Sequence, residues 1–317
     1  MSTRHLVTPD LTAILDQLPQ VQLTAETLPM IRASSAAMLA SIQVPETPNL
    51  VVSERYVPGP EGAPDVRILL YQPTHVTQPT AGFLWIHGGG YVGGSADSDD
   101  INSRTIADQL GCVVVSVNYR LAPETPHPGP VEDCYAALRW LHANAAELGV
   151  DTARIAIGGG SAGGGLAAAL ALLARDRGEV PLVFQLLIAP MLDDRTVAAD
   201  PPHPYTGEFI WTRDANRFGW TALLGQEPGN EGVSSYAAAA RAEDLSGLPA
   251  AFICVGALDL FVEEDMEYAR RLIRAGVPTE LHVYPGAYHG YQLVPTAEVT
   301  QTSRRDQLSA LRRALKL

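Results

Sequence analysis

Residues 154–166 read Arg154-Ile-Ala-Ile-Gly-Gly-Gly-Ser161-Ala-Gly-Gly-Gly-Leu166, and this stretch decides the fold. Arg154 to Ile157 is a short apolar run of strand character. Ala162 to Arg177 is an Ala/Leu-rich run of helical character, so the glycines and Ser161 form a strand-to-helix turn. Gly159, Ser161 and Gly163 fit G-x-S-x-G. Such a turn holds its serine in a strained conformation that exposes the hydroxyl, while the glycines let strand and helix approach closely. The helix behind Ser161 also aims N–H groups and a positive dipole end at any oxyanion formed there.

The same letters fit a second pattern, because Gly158, Gly160 and Gly163 spell the G-x-G-x-x-G of a dinucleotide-binding turn. That turn normally lies on the first strand of its domain and needs an acidic residue at the end of the next strand, about 20 residues on. Here it lies on a middle strand, and Asp176 and Glu179 fall at a helix end and in a loop. The nucleotide reading is therefore the weaker one.

Upstream, the strand Phe83 to Ile86 runs into His87-Gly88-Gly89-Gly90-Tyr91. Residues without side chains allow backbone N–H groups to reach an oxygen on which negative charge develops. No lysine follows in P-loop spacing, so a phosphate cradle is disfavoured. The two glycine turns together resemble those of the α/β-hydrolases, which implies oxyanion donors at Gly88, Gly89 and Ala162 and the chain order nucleophile, acid, histidine. The strand Ala251 to Gly256 ends at Asp259, and the strand Leu281 to Tyr284 leads to His289. Both lie at carboxyl ends of strands, where open sheets place their chemistry. Of eight histidines, His289 is the one positioned to accept the Ser161 proton, with Asp259 orienting its ring. His87 reads as a residue that fastens the oxyanion loop. Glu263, Glu264 and Asp265 are rival acids, but they fall in the first turn of the next helix, where the dipole favours carboxylates without any catalytic role.

Around this centre, β-rich runs alternate with helical patterns from about residue 50 onward, the sequence form of a layered α/β fold. Strands are predicted at 51–57 and 66–71 as an antiparallel pair, then at 82–87, 112–119, 154–157, 183–189, 250–256 and 280–284. Runs such as Cys112 to Val117 are apolar on successive residues, as in strands covered on both faces. Helices are predicted at 131–148, 162–177, 262–275 and 297–315, two of them stopped by Gly149 and Gly276. Residues 1–45, with two helices, and 196–236, which is Pro-rich, stand outside the alternation. They are expected to form a cap on a core of residues 46–195 and 237–317.

A third motif, Tyr119-Arg120-Leu121-Ala122-Pro123-Glu124, joins the two glycine turns, and with it residues 50–317 resemble the bacterial hormone-sensitive lipase family of esterases. The resemblance implies an α/β-hydrolase fold, an approximately eight-stranded, mostly parallel sheet flanked by helices, with a helical cap. It implies hydrolysis of short- to medium-chain esters through an acyl-Ser161 intermediate, with neither cofactor nor metal, and it allows a homodimer. An amidase or lactonase would use the same triad. Tyr91, Phe209, Trp211 and Trp220 are candidate pocket walls. Two departures stand out: Gly160 replaces the Asp or Thr usual before the serine, and Asp259-Leu260-Phe261-Val262-Glu263-Glu264 lacks the proline of DPLxDE.

Composition excludes other classes. Of 317 residues 46% are hydrophobic and 18% charged, enough to bury a large core. The net charge of −13 offers no footprint for nucleic acid. No run approaches the roughly 18 apolar residues of a membrane span. Residues 1–10 lack a signal-peptide pattern, so the cytoplasm is the expected location. Cys112, Cys134 and Cys254 are an odd set without CxxC spacing, expected to be buried free thiols.

Overall fold

The computed structural model describes residues 2–17, 21–44, 46–76 and 79–317. Of the segment 1–45, residues 1, 18–20 and 45 lie outside them. One eight-stranded sheet carries the fold, with strands β1 (Leu50–Val57), β2 (Val66–Pro73), β3 (Thr80–Ile86), β4 (Val113–Asn118), β5 (Val150–Gly160), β6 (Phe184–Ile188), β7 (Ala250–Gly256) and β8 (Thr279–Tyr284) in the order β1-β2-β4-β3-β5-β6-β7-β8. β2 runs antiparallel to β1 and β4, and every other pairing is parallel. The carboxyl ends of β3, β5, β7 and β8 therefore meet at one edge.

Successive side chains on a strand point to opposite faces, so a strand covered on both sides must be apolar throughout. Val113, Val115 and Val117 enter one core with Leu84, Ile86, Ile155, Ile157 and Ile253. That core is closed by α4 (Gly129–Ala143), α5 (Ala145–Leu148), α6 (Ala162–Arg177) and α8 (Val262–Arg274). Val114 enters the other, with Phe83, Trp85, Ala156 and Phe252, closed by α1 (Pro9–Leu15), α3 (Asp100–Leu110) and α9 (Glu298–Leu315). The three cysteines are free and buried. Among the described residues, no helix is long and apolar enough to cross a membrane.

The structure differs from the sequence expectation in several places. Helix α3 is unanticipated: its buried residues are Ser103, Ile106, Ala107 and Leu110, a narrow stripe among polar residues. The predicted helix 131–148 starts at Gly129 and is divided at Asn144 into α4 and α5, with Gly149 left-handed after it. Strand β5 extends through the glycines, since Gly158, Gly159 and Gly160 pair with Leu186, Leu187 and Ile188. Gly158 is required there, because a Cβ would stand 2.7 Å from the Phe83 ring and 2.9 Å from Leu186 O. The two N-terminal helices also part company. Leu11 of α1 is fully buried in the core, whereas α2 (Leu28–Ser41) buries only Leu28. In 196–236 the main element is α7 (Arg213–Leu224).

Candidate active site

Ser161 stands between β5 and α6, at the N-cap position of the helix, with φ 56°, ψ −123°, a conformation that L-residues rarely adopt. Its backbone is held on both sides, its N–H donating to Ile188 O at 2.8 Å and its carbonyl accepting from Gly165 and Met191 N–H at 3.0 Å each. The side chain is thereby presented above the sheet edge, with Oγ 2.9 Å from His289 Nε2. His289 Nδ1 lies 2.8 Å from Asp259 Oδ2. The other Asp259 oxygen accepts from Phe261 N–H at 3.0 Å, and the Phe261 ring stands edge-on to the imidazole, 5.2 Å away. Asp259 is fully buried. The loops bearing the acid and the histidine are fastened together, because Leu258 N–H donates to Ala287 O at 2.9 Å and Gly256 leaves no space for a Cβ beside Ala287 O. The N-terminal segment braces the histidine loop from behind: Tyr288 OH donates to Leu11 O at 3.0 Å and Thr8 N–H to Gly286 O at 3.2 Å.

The turn after β3 lies against the serine. A Cβ on Gly88 would be 2.9 Å from Gly160 O and 3.5 Å from Ser161 Cβ, and Gly89 has φ 122°. Ala162 is the first residue of α6, so its N–H has no acceptor within that helix. Gly88 therefore packs directly against Ser161, and Ala162 follows Ser161 in the chain. His87 is fully buried and stacked on Tyr119 at 4.2 Å, and its Nδ1 donates to Gly88 O at 2.8 Å. Burial lowers its pKa to about 4, so the ring is neutral near pH 7. It fastens the loop, and Tyr119 OH adds a bond to His87 O at 3.0 Å.

Of the four candidate walls, Trp211 is the one at the centre. Its ring packs over Gly90, where a Cβ would fall 2.0 Å from it, and stands 6.2 Å from His289. Phe209 is half-buried against Tyr288, 5.6 Å away. Tyr91 and Trp220 are both fully buried and pack on each other at 5.2 Å, and Tyr91 OH donates to Met191 O.

The three acids after Asp259 lie in the first turn of α8, as expected, but differ in burial. Glu263 is exposed, as a first-turn carboxylate should be. Glu264 and Asp265 instead face inward. Glu264 accepts from Leu192 and Asp193 N–H, at 2.7 and 3.1 Å, and from the Thr196 hydroxyl, tying α8 to the loop after β6. Burial raises its pKa well above the usual range despite these donors. Helical spacing does not distinguish the buried acids from Glu263, because the assignment of faces depends on where the loop after Asp259 turns. The YRLAPE segment is also anchored, with Arg120 bound to buried Asp133 through two guanidinium contacts, at 2.7 and 2.8 Å.

A family model described as alpha/beta hydrolase fold matches residues 83–293. Carboxylesterase NlhH of Mycobacterium tuberculosis is 38% identical over 98% of this chain and 96% of its own. A bacterial heroin esterase superposes with a TM-score of 0.92 at 43% identity, covering 99% of each chain. An esterase of Pyrobaculum calidifontis does so with 0.83 at 31%, covering 97% of this chain and 98% of its own.

Proposed function

Because the chain belongs to the hormone-sensitive lipase family of α/β-hydrolase-fold esterases, we propose that it is a serine carboxylesterase acting on short- to medium-chain esters through an acyl-Ser161 intermediate. The observation that carries this reading is the unbroken contact from Ser161 Oγ through both nitrogens of His289 to Asp259, at 2.9 and 2.8 Å.

Ser161 Oγ attacks the ester carbonyl while its proton passes to His289 Nε2. Asp259 holds the proton on Nδ1 and stabilises the imidazolium. The carbonyl oxygen, now negative, receives N–H groups of Gly88, Gly89 and Ala162, each such donor being worth on the order of 3 kcal/mol in comparable sites. Collapse breaks the ester C–O bond, and His289 returns the proton to the departing alcohol. Water, deprotonated by the same ring, then releases the acid and restores Ser161. Residues 1–45 and 196–236 serve as the cap, with Trp211 and Phe209 toward the acyl or alcohol group. The Glu208 carboxylate joins the two segments by accepting from Ser2 and Thr3.

Nitrophenyl esters with acyl chains of about two to sixteen carbons test the proposal against Ser161→Ala. Turnover is expected to peak among the short and medium chains and to fall at least about 1,000-fold in the variant. Equal activity of the two proteins would remove the acyl-serine route.

A further inference from the structure

Helix α2 is nearly all exposed, yet one residue on it is heavily engaged. Arg32 Nε donates to Val92 O at 2.7 Å and Nη2 to Ala122 O at 2.8 Å, while Nη1 and Nη2 grip both oxygens of Glu124 at 2.7 and 2.9 Å. One planar guanidinium thus binds two loops, the glycine turn after β3 and the YRLAPE segment. These loops also touch directly, through Ala122 N–H to Tyr91 O at 3.0 Å.

The contact at Val92 reaches the proposed oxyanion donors by a short path. The peptide joining Val92 to Gly93 is held at both ends: Arg32 takes its carbonyl, and its N–H donates to Gly89 O at 2.9 Å. Val92 N–H donates to the same Gly89 oxygen at 3.1 Å. The carbonyl side of Gly89 is therefore set by a peptide that Arg32 orients. Packing adds an independent link. Leu28, Val92 and Ala122 form a small apolar cluster separate from both main cores, with Leu23 and, from α7, Phe218 and Ala222 packed on it. Both segments assigned to the cap thus meet the glycine turn at one point.

We propose that Arg32 is a positioning residue for ester hydrolysis, coupling the seating of α2 to the register of the Gly88–Gly89 N–H groups. The inference rests on the acyl-serine reading above. The geometry makes the coupling specific to the transition state, because the donors it aligns act on charge that develops only after attack.

The test compares wild type with Arg32→Met, which keeps an apolar stem and removes every donor, with Arg32→Lys, which retains one charge-assisted contact, and with Glu124→Gln. With a short nitrophenyl ester, Arg32→Met is expected to lower kcat about 10-fold or more with KM within about two-fold, Arg32→Lys to recover part of the loss, and Glu124→Gln to lose less than Arg32→Met. Affinity for a trifluoromethyl ketone, which forms a tetrahedral adduct, should fall by a factor matching kcat/KM. Unchanged kcat in a folded Arg32→Met protein overturns the proposal, as does a rise in KM alone, which would make α2 a substrate contact. Should Arg32→Met fail to fold, Arg32→Lys with wild-type kcat and ketone affinity would overturn it equally. A wild type inert on esters, or as active as Ser161→Ala, marks failure of the esterase reading instead.

Discussion

Asp265 is fully buried, and neither of its carboxylate oxygens meets a hydrogen-bond donor among the described residues. Burial, then the nearby Glu264 and Asp259, push its pKa well above the ordinary range. The folded protein thus binds a proton that the unfolded chain releases near pH 4, so this group's contribution to stability is lost as pH rises above that value. Asp265→Asn, which mimics the neutral acid, is expected to raise the melting temperature by a few degrees at pH 8, about 1 kcal/mol, and by less at pH 5. A destabilised variant at pH 8 would show that the ionised carboxylate is needed. The same neighbourhood marks where reading single residues reaches its limit. Ser161, Asp259 and His289 were legible because each follows the carboxyl end of a strand in a known order, Ser161 and His289 among glycines. Glu264, Asp265 and Arg32 were not, because their importance comes from partners 60 or more residues away, as with Glu264 at Leu192 and Arg32 at Val92, or from the lack of any among the described residues, as with Asp265.

The contact between β5, α6 and β3 explains why the glycines alternate in role. A Cβ on Gly163 would lie 2.1 Å from Ile86 O and 2.4 Å from His87 O, and one on Gly159 would lie 2.3 Å from Gly163 O. Backbone carbonyls of a central strand cannot retreat, so α6 could not pack where it does. At Gly160, by contrast, a Cβ would meet only Ile188 O, at 4.0 Å. Gly163→Ala is therefore expected to cost at least about 2 kcal/mol and most of the activity, while Gly160→Ala keeps its melting temperature within a few degrees and its turnover within a few-fold. Thermal melts and one ester assay check both, and equal tolerance at the two positions would refute the close-approach argument. Gly160 thus departs from the family pattern without filling a tight space. At this scale the central strands β3, β4 and β6 were legible because burial on both faces leaves a continuous apolar run. Helix α3 was not, since four of its eleven residues reach the core and its exposed face reads as loop.

Across the whole molecule, parallel strands deliver the chemistry. β3, β5, β7 and β8 point the same way, so the glycine turn after β3, Ser161, Asp259 and His289, spread over about 200 residues of sequence, converge at one edge. The N-terminal segment then closes over the same edge from two sides, α1 behind the histidine loop and α2 on the glycine turn. The three motifs made the sheet's chemistry readable; the divided roles of α1 and α2 depend on long-range packing that no local pattern encodes. The acyl-serine claim is tested most directly by labelling with a fluorophosphonate, followed by peptide mapping. One adduct per chain is expected, on Ser161, absent in Ser161→Ala and at least about 100-fold slower to form in His289→Ala. An adduct on another residue, with ester hydrolysis surviving in Ser161→Ala, would contradict it.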